Sequence, residues 1–186
     1  MLVPISSLTH SQLHRLIYSV WDFQQALSAL TFLLDECDFD AKYSRVELRR
    51  FRCYESSLII SFARPFEPSR RQTVVGLRAI GVHLDAEETK LKEAMLGLRR
   101  KVVAHSDEEL MHYRASTLQP FDDAPIALPL LQYVESLYLE PAQCRSLEAL
   151  LHKLINGISK ALFSLAQSHP ERLNIYKQPN GHSAEA

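Results

Sequence analysis

The chain has 186 residues, 46% of them hydrophobic, which suits one globular domain with a substantial core and argues against two full domains. A net charge of −1 argues against binding of nucleic acid through bulk charge, and no stretch reaches the ~18 uncharged apolar residues of a membrane span. The three cysteines are scattered and form no CxxC pair, which argues against a zinc knuckle and a disulfide framework. The five glycines form no phosphate-binding loop, which argues against a nucleotide-binding fold. We therefore expect a reduced, cytoplasmic protein without a signal peptide, metal or cofactor.

Two helices are predicted in the first third of the chain. Apolar residues recur at helical spacing over Ser11–Glu36, and Ser7 or Thr9 is suited to cap the start of this helix. A second helix is predicted over Tyr43–Ala63. It ends there because the residue before Pro65 avoids the helical conformation.

An irregular connector with two prolines and two glycines follows at residues 64–84, with room for a short helix. Asp85 and Glu88 then form an Asp-x-x-Glu capping signature. This signature predicts the start of a third helix, and the apolar stripe carries that helix to about Val103.

The last third of the chain is predicted to contain two strands and one more helix. Residues 110–118 alternate in polarity, which favours a strand, and residues 126–138 are predicted to pair with them, although their spacing fits a helix as well. Pro141 suits the first turn of a helix that runs to about Ser168, and residues 169–186 are expected to form a flexible polar tail.

These elements together predict an all-α fold. We expect an up-and-down bundle of four to five helices, because short connections between long helices favour antiparallel neighbours. A small β-hairpin near residues 110–138 is the added element, and residues 1–168 form a single helical domain.

One acidic residue lies on an apolar helical stripe. Glu55 follows Phe51 by four residues and precedes Leu58 by three, so the three side chains point to the same side. An unpaired buried carboxylate is expensive, so Glu55 needs a partner, and Arg99 is the partner that we expect. The alternatives are an ion pair with Arg52 on the same helix and a half-exposed acid.

The third helix ends in the sequence Leu-Arg-Arg-Lys-Val-Val-Ala-His-Ser-Asp, which begins at residue 98. On a helical wheel Arg99 flanks the apolar stripe and Arg100 lies on the opposite, solvent side. His105 returns to the buried edge if the helix continues, so Arg99 and His105 both border the interior of the bundle. The simplest alternative is a basic helix C-terminus, where these side chains meet the helix dipole favourably.

An arginine followed after four to six residues by a histidine, at the end of a bundle helix, resembles the signature of the HEPN superfamily. Arg99 has five residues before His105 and Arg100 has four, so both satisfy the spacing, and the helical wheel favours Arg99. The resemblance covers about residues 11–168 in helix layout and residues 98–107 in the motif.

The resemblance implies a metal-independent endoribonuclease in which the motifs of two chains build one composite site across a homodimer axis. Catalytic members often carry an acid on the preceding long helix, so Arg99, His105 and Glu55 are the expected catalytic residues. Histidine titrates near neutral pH and can transfer a proton, whereas arginine presents a permanently charged fork to phosphate. Toxin and phage-defence roles in the family imply RNA as a substrate and an antitoxin or other partner protein.

Arg100, Asp107 and Arg52 are the predicted binding residues around this site. Residues 45–101 hold ten arginines and three lysines against seven acids, and such an excess of positive charge can mark a phosphate-binding face. Many family toxins have a tyrosine at the position of Asp107 and an Asn or Asp at that of Arg100. The carboxylate of Asp107 either repels an RNA phosphate or orients His105. The alternative functions are a non-catalytic HEPN-like interaction or RNA-binding module and a purely structural bundle.

Overall fold

A computed structural model shows the predicted helical bundle with a small antiparallel hairpin. The structure describes residues 8–68, 73–103, 112–119 and 127–175. Its long elements are α1 (His10–Glu36), α2 (Arg45–Ala63), α3 (Ala86–Leu98), β1 (Tyr113–Leu118), β2 (Leu128–Tyr133) and α4 (Pro141–Ser168). Within these described residues, no helix combines the length and the apolar character that crossing a membrane requires.

Helices α1, α2 and α3 each begin with a reciprocal capping box. The side chain of the capping residue accepts a bond from the backbone of the third helical residue, whose own side chain bonds back to the cap. The pairs are Thr9 with Gln12, Ser44 with Glu47, and Asp85 with Glu88. The predicted starts at Thr9 and Asp85 are therefore confirmed, and α4 begins with Pro141 as predicted.

The core lies where α1 packs along α2 and α4, and α3 closes one side against α2 and α4. Phe23 of α1 and Phe62 of α2 meet at its centre, with ring centroids 6.2 Å apart. The buried stripe of α4 is the most regular, and its members are Leu147, Leu150, Leu151, Leu154, Ile158 and Leu165. These buried residues are the apolar residues whose helical spacing in the sequence predicts this helix.

The connector between α2 and α3 contains two short 3-10 turns, in a segment where the sequence leaves room for a short helix. Residues Arg64–Phe66 and Leu77–Ile80 form short 3-10 turns, and Val75 donates a backbone hydrogen bond to the carbonyl of Pro65. The third helix does not run to Val103 as a regular α-helix, because its last turn, Arg99–Val103, is π-helical. A π-helical turn bonds each N–H to a carbonyl five residues earlier, which shifts the side chains away from their α-helical positions.

The hairpin stands apart from the bundle. Its register runs from Tyr113 opposite Tyr133 to Leu118 opposite Leu128, and every residue of both strands is exposed. The prediction of a hairpin rather than a helix over residues 126–138 is therefore confirmed for the paired residues.

The chain stays attached to the bundle beyond the predicted domain end at Ser168. Residues Pro170–Leu173 form a 3-10 turn that contacts α4, and the guanidinium of Arg172 donates to the carbonyl of Leu8. The first residues of the predicted flexible tail therefore belong to the bundle.

Candidate functional site

The two candidate motif arginines meet at one carboxylate. Nη1 of Arg99 lies 2.8 Å from Oε2 of Glu67, and Nε of Arg100 lies 3.7 Å from Oε1 of the same residue. Nε of Arg100 also donates to the carbonyl of Leu96. The side chain of Arg99 is 40% exposed and that of Arg100 is 60% exposed, so the former lies closer to the bundle, as the helical wheel predicts.

Glu67 belongs to a cluster of charged residues that three elements bring together. Nη2 of Arg15, on α1, donates to the backbone carbonyls of Arg64 at 2.5 Å and of Glu67 at 3.0 Å. Asp22, about two turns further along α1, lies 3.5 Å from Nη1 of Arg64. The end of α2 is therefore tied to α1 by Arg15 and to the end of α3 by Glu67. We call Arg15, Asp22, Arg64, Glu67 and Arg99 the charged cluster.

Burial within the charged cluster changes its electrostatics. Arg15 and Asp22 are among the few charged residues in the buried set. Burial raises the pKa of Asp22, and the positive charges of Arg64 and Arg15 oppose that rise. Burial likewise lowers the pKa of Arg15, and the charge of Asp22 opposes that change. The more exposed cations of the cluster, Arg64 and Arg99, are held by the carboxylates of Asp22 and Glu67, whereas the buried Arg15 is held by backbone carbonyls.

The sequence interpretation missed four members of the charged cluster. Arg15, Ser19 and Asp22 follow one another by four and three residues, so they form a polar stripe on the buried side of α1. The reasoning that singled out Glu55 also applies to this stripe and could have found it. Arg64 and Glu67 lie at a helix end and in the loop after it, where no periodicity identifies them.

Glu55 lies elsewhere, and the prediction that it pairs with Arg99 is wrong. Its side chain is 1% exposed, which also excludes the half-exposed alternative. Oε1 accepts hydrogen bonds from the backbone N–H groups of Tyr138 at 2.7 Å and Leu139 at 2.8 Å. Burial raises the pKa of Glu55 to about 6, although these two bonds and the charge of Arg52 oppose the rise. Glu55 therefore joins α2 to the segment that leads into α4.

Arg52 also contacts the segment that leads into α4, through the side chain of Tyr138. Its Nη2 donates to the hydroxyl of Tyr138 at 2.8 Å, and its guanidinium lies 5.2 Å from the centre of the Tyr138 ring. One turn earlier on α2, Arg49 grips Glu135 through Nε and Nη2. The alternative prediction paired Glu55 with Arg52. In the structure the charge of Arg52 lowers the pKa of Glu55, but the carboxylate takes its hydrogen bonds from the backbone of Tyr138 and Leu139.

The structure thus divides the predicted site residues into two groups. Arg99 and Arg100 converge on Glu67, whereas Glu55 and Arg52 converge on the segment around Tyr138. His105 and Asp107 lie outside the described residues, two and four positions after the end of the π-helical turn. In the part of the chain that is described, no group of three or more His, Cys, Asp or Glu side chains could hold a metal ion.

No family model matches the chain, and no curated protein or solved structure is significantly similar to it.

Proposed function

We propose that the chain is a metal-independent endoribonuclease of HEPN type, acting in the cytoplasm, with Arg99 as the phosphate-binding residue and His105 as the proton-transfer residue. The observation that carries the proposal is the placement of Arg99. It lies partly exposed at a π-helical turn, within a charged cluster built from three elements. Such turns often occur at functional sites, because they displace side chains from the regular helical pattern.

The proposed reaction uses the 2′-hydroxyl of RNA as its nucleophile. The 2′-oxygen forms a bond to phosphorus, the bond from phosphorus to the 5′-oxygen breaks, and the products are a 2′,3′-cyclic phosphate and a 5′-hydroxyl. His105 receives the proton of the 2′-hydroxyl, and the leaving 5′-oxygen takes up a proton from water in the same step. Arg99 stabilises the charge that develops on the phosphate oxygens. The exposed Arg100 adds a second cation, and Asp107 orients His105.

Glu55 has no catalytic part in this proposal. Both hydrogen bonds that its carboxylate accepts come from backbone N–H groups, and its side chain is buried. Glu67 is the acid that contacts the motif arginine. We assign Glu67 a positioning role, because it holds Arg99 and is itself held through its backbone carbonyl by Arg15.

A second copy of the chain is the proposed partner, as the resemblance implies. The hairpin supports this proposal, because a two-stranded sheet is marginally stable by itself and its edges are open to pairing. The aligned side chains of Tyr113, Tyr133 and Leu131 form an apolar face that the described part of the bundle leaves exposed. Exposed apolar faces of this kind mark interaction sites. A toxin or phage-defence role, with an antitoxin as a further partner, belongs to the same proposal.

The alternative is a non-catalytic HEPN-like interaction or RNA-binding module. The ion pairs of Arg99 and Arg100 with Glu67 favour it, because they partly neutralise both candidate motif arginines. In this alternative the charged cluster only fastens the ends of α2 and α3 to α1.

RNA cleavage in EDTA by the purified protein separates the two functions. We expect wild-type cleavage, a loss of at least about 100-fold in His105→Ala, and a similar loss in Arg99→Ala. Arg145→Ala, which removes an exposed arginine of α4, serves as the matched control and should retain full activity. Equal cleavage by wild type and His105→Ala would contradict the proposed site. Absence of cleavage by a folded wild-type protein would favour the non-catalytic module.

A further inference from the structure

A groove runs along the outer face of α2, away from the buried Glu55. It consists of two adjoining concavities, of about 540 Å³ and about 390 Å³, which share Arg52 and Cys53 in their walls. We call this feature the arginine groove. Arg64 and Trp21 lie toward one end, and Arg49, with Tyr133 at the base of the hairpin, lies toward the other.

The arginine groove is lined by positive charge. Arg49, Arg52 and Arg64 line it, and Glu135, in the smaller concavity, is the one acid among the described residues that line the two. Arg49 binds Glu135 through two nitrogens, and Arg64 lies 3.5 Å from Asp22 while its side chain stays 55% exposed. Arg52 donates to the neutral hydroxyl of Tyr138, so its charge is the least compensated by these contacts. Arg49 lies on α2, and Arg64, fifteen residues later, caps the C-terminus of α2 in helical conformation, which spaces their backbones by about 22 Å at 1.5 Å per residue. The groove therefore presents separated cations along a line, which suits an extended polyanion.

Aromatic and hydroxyl groups accompany these cations. Trp21 is 62% exposed although it is the largest side chain of α1, so much of its indole faces solvent beside the groove. Ser56 and Ser57 supply hydroxyl groups in the same wall, and Tyr138 carries the guanidinium of Arg52 against its ring. Aromatic surfaces that stack bases, next to arginines that bind phosphates, are the features of proteins that bind single-stranded nucleic acid.

We infer that the arginine groove binds a single strand of RNA, with phosphates on Arg52 and Arg64 and a base stacked on Trp21. This inference rests on the proposed function, in which RNA is the substrate. It adds that the RNA is bound as an unpaired strand. A duplex fits this site poorly, because its bases are already stacked and paired and offer no free face to Trp21.

The chain contains one tryptophan, so Trp21 reports directly on this binding. We would titrate His105→Ala, which keeps the RNA intact, with an unlabelled twelve-nucleotide single strand and follow tryptophan fluorescence. Stacking of a base on Trp21 should quench the emission, and a duplex of the same sequence should quench it much less. Because fluorescence does not depend on cleavage, this result is separate from the test of the nuclease.

Variants in the same background then measure affinity by the anisotropy of a labelled strand. We expect Trp21→Ala to weaken binding at least about 5-fold and Trp21→Phe to recover part of the loss, because one stacked base contributes an effect of that size. Phe163→Ala, which removes an aromatic residue of α4 that is 68% exposed and outside the groove, should change nothing. Arg64→Gln should lower the slope of log affinity against log salt by about 0.7, the value for one phosphate on a single strand.

The outcomes distinguish this inference from the proposed function. RNA cleavage without quenching, and with equal affinity in Trp21→Ala and Phe163→Ala, would overturn the groove and leave the nuclease standing. Quenching and the expected affinity losses in a protein that cleaves no RNA would support the groove and contradict the nuclease. Equal affinity for duplex and single strand, or no binding of RNA at all, would overturn the groove.

Discussion

At the scale of single residues, the partner of Glu55 shows what periodicity can and cannot reveal. An acid on an apolar stripe correctly predicts a buried carboxylate that needs partners. The partners are backbone N–H groups more than 80 residues away along the chain, so no spacing within α2 could identify them. The sequence instead favours Arg99, because the family resemblance implies an acid on the preceding long helix that faces the motif. The contact between Arg15 and Glu67 escapes periodicity for the same reason, since the two residues are joined through a backbone carbonyl.

The burial of Glu55 makes stability depend on pH. Its pKa rises from 4.5 to about 6 on folding, so the native state binds this proton more tightly than the unfolded state does. The associated stabilisation is fully present below pH 4.5 and is lost as the pH rises through about 6. A shift of this size corresponds to about 2 kcal/mol. Glu55→Gln removes the ionisation, so the variant should gain about 2 kcal/mol relative to wild type between pH 4 and pH 7.

Urea unfolding of both proteins across that pH range measures this difference. Glu93→Gln removes a mostly exposed acid of α3 and reports the effect of losing a surface charge. RNA cleavage by Glu55→Gln should remain close to that of wild type. A pH-independent difference in the free energy of unfolding, or a loss of cleavage in a stable Glu55→Gln protein, would contradict the structural role.

The contact between Glu67 and the motif arginines gives a second prediction at this scale. Glu67→Gln removes the charge that competes with RNA phosphate for Arg99 and Arg100. A partly exposed ion pair is worth up to about 1 kcal/mol, so RNA affinity should rise about 2- to 5-fold. Glu87→Gln, at the other end of α3, makes the same change in net charge and should raise affinity less. Equal gains in the two variants would show that only net charge matters.

At the scale of elements, capping signatures and apolar periodicity predict where the helices lie. They do not predict where two elements approach each other closely. Gly157 lies inside α4, where helix propensity alone predicts that alanine would stabilise the protein. In the structure, a Cβ atom at this position would lie 2.4 Å from Cγ2 of Val82 and 3.1 Å from the carbonyl oxygen of Ile80. The glycine therefore allows the connector after the Leu77–Ile80 turn to approach α4 closely.

Replacing this glycine should have the opposite effect to the one that propensity predicts. Gly157→Ala should destabilise the protein by about 1 to 3 kcal/mol, because the connector must move to accommodate the methyl group. Gly97→Ala in α3 is the matched control, since a Cβ atom there meets nothing within 4 Å, and it should stabilise the protein by up to about 1 kcal/mol. Thermal or urea unfolding of both variants tests the pair. Stabilisation by both substitutions would show that the connector moves freely.

At the scale of the whole molecule, the sequence predicts the bundle and the hairpin but not how the hairpin is used. The backbone N–H of Val134 donates to the carbonyl of His112, so residues 112 and 134 form a hydrogen-bonded pair. In an antiparallel ladder such pairs alternate, so Tyr113, Ala115 and Thr117 direct their backbone groups away from β2. The outer edge of β2 lacks one N–H because it contains Pro129.

The outer edge of β1 is therefore the better surface for pairing two chains. A two-fold axis through Ala115 would align β1 antiparallel to its copy and extend the hairpin into a four-stranded sheet. Ala115→Pro removes the central N–H of this edge at a position where the hairpin itself does not use it, so the monomer should fold and the dimer should weaken at least about 10-fold. Leu131→Pro makes the same change on the outer edge of β2 and also alters the apolar face of the hairpin, and it should weaken the dimer less than Ala115→Pro does.

Sedimentation velocity over a range of protein concentrations measures both dissociation constants. Because the proposed site is composite, RNA cleavage by Ala115→Pro should fall in step with the fraction of dimer and should recover at high protein concentration. Recovery of this kind cannot come from a damaged monomer, since a local defect in Arg99 or His105 would persist at every concentration. A wild-type protein that is monomeric yet cleaves RNA would show that one chain completes the site. A dimer that Leu131→Pro weakens as much as Ala115→Pro would place the contact on the apolar face of the hairpin rather than on the edge of β1.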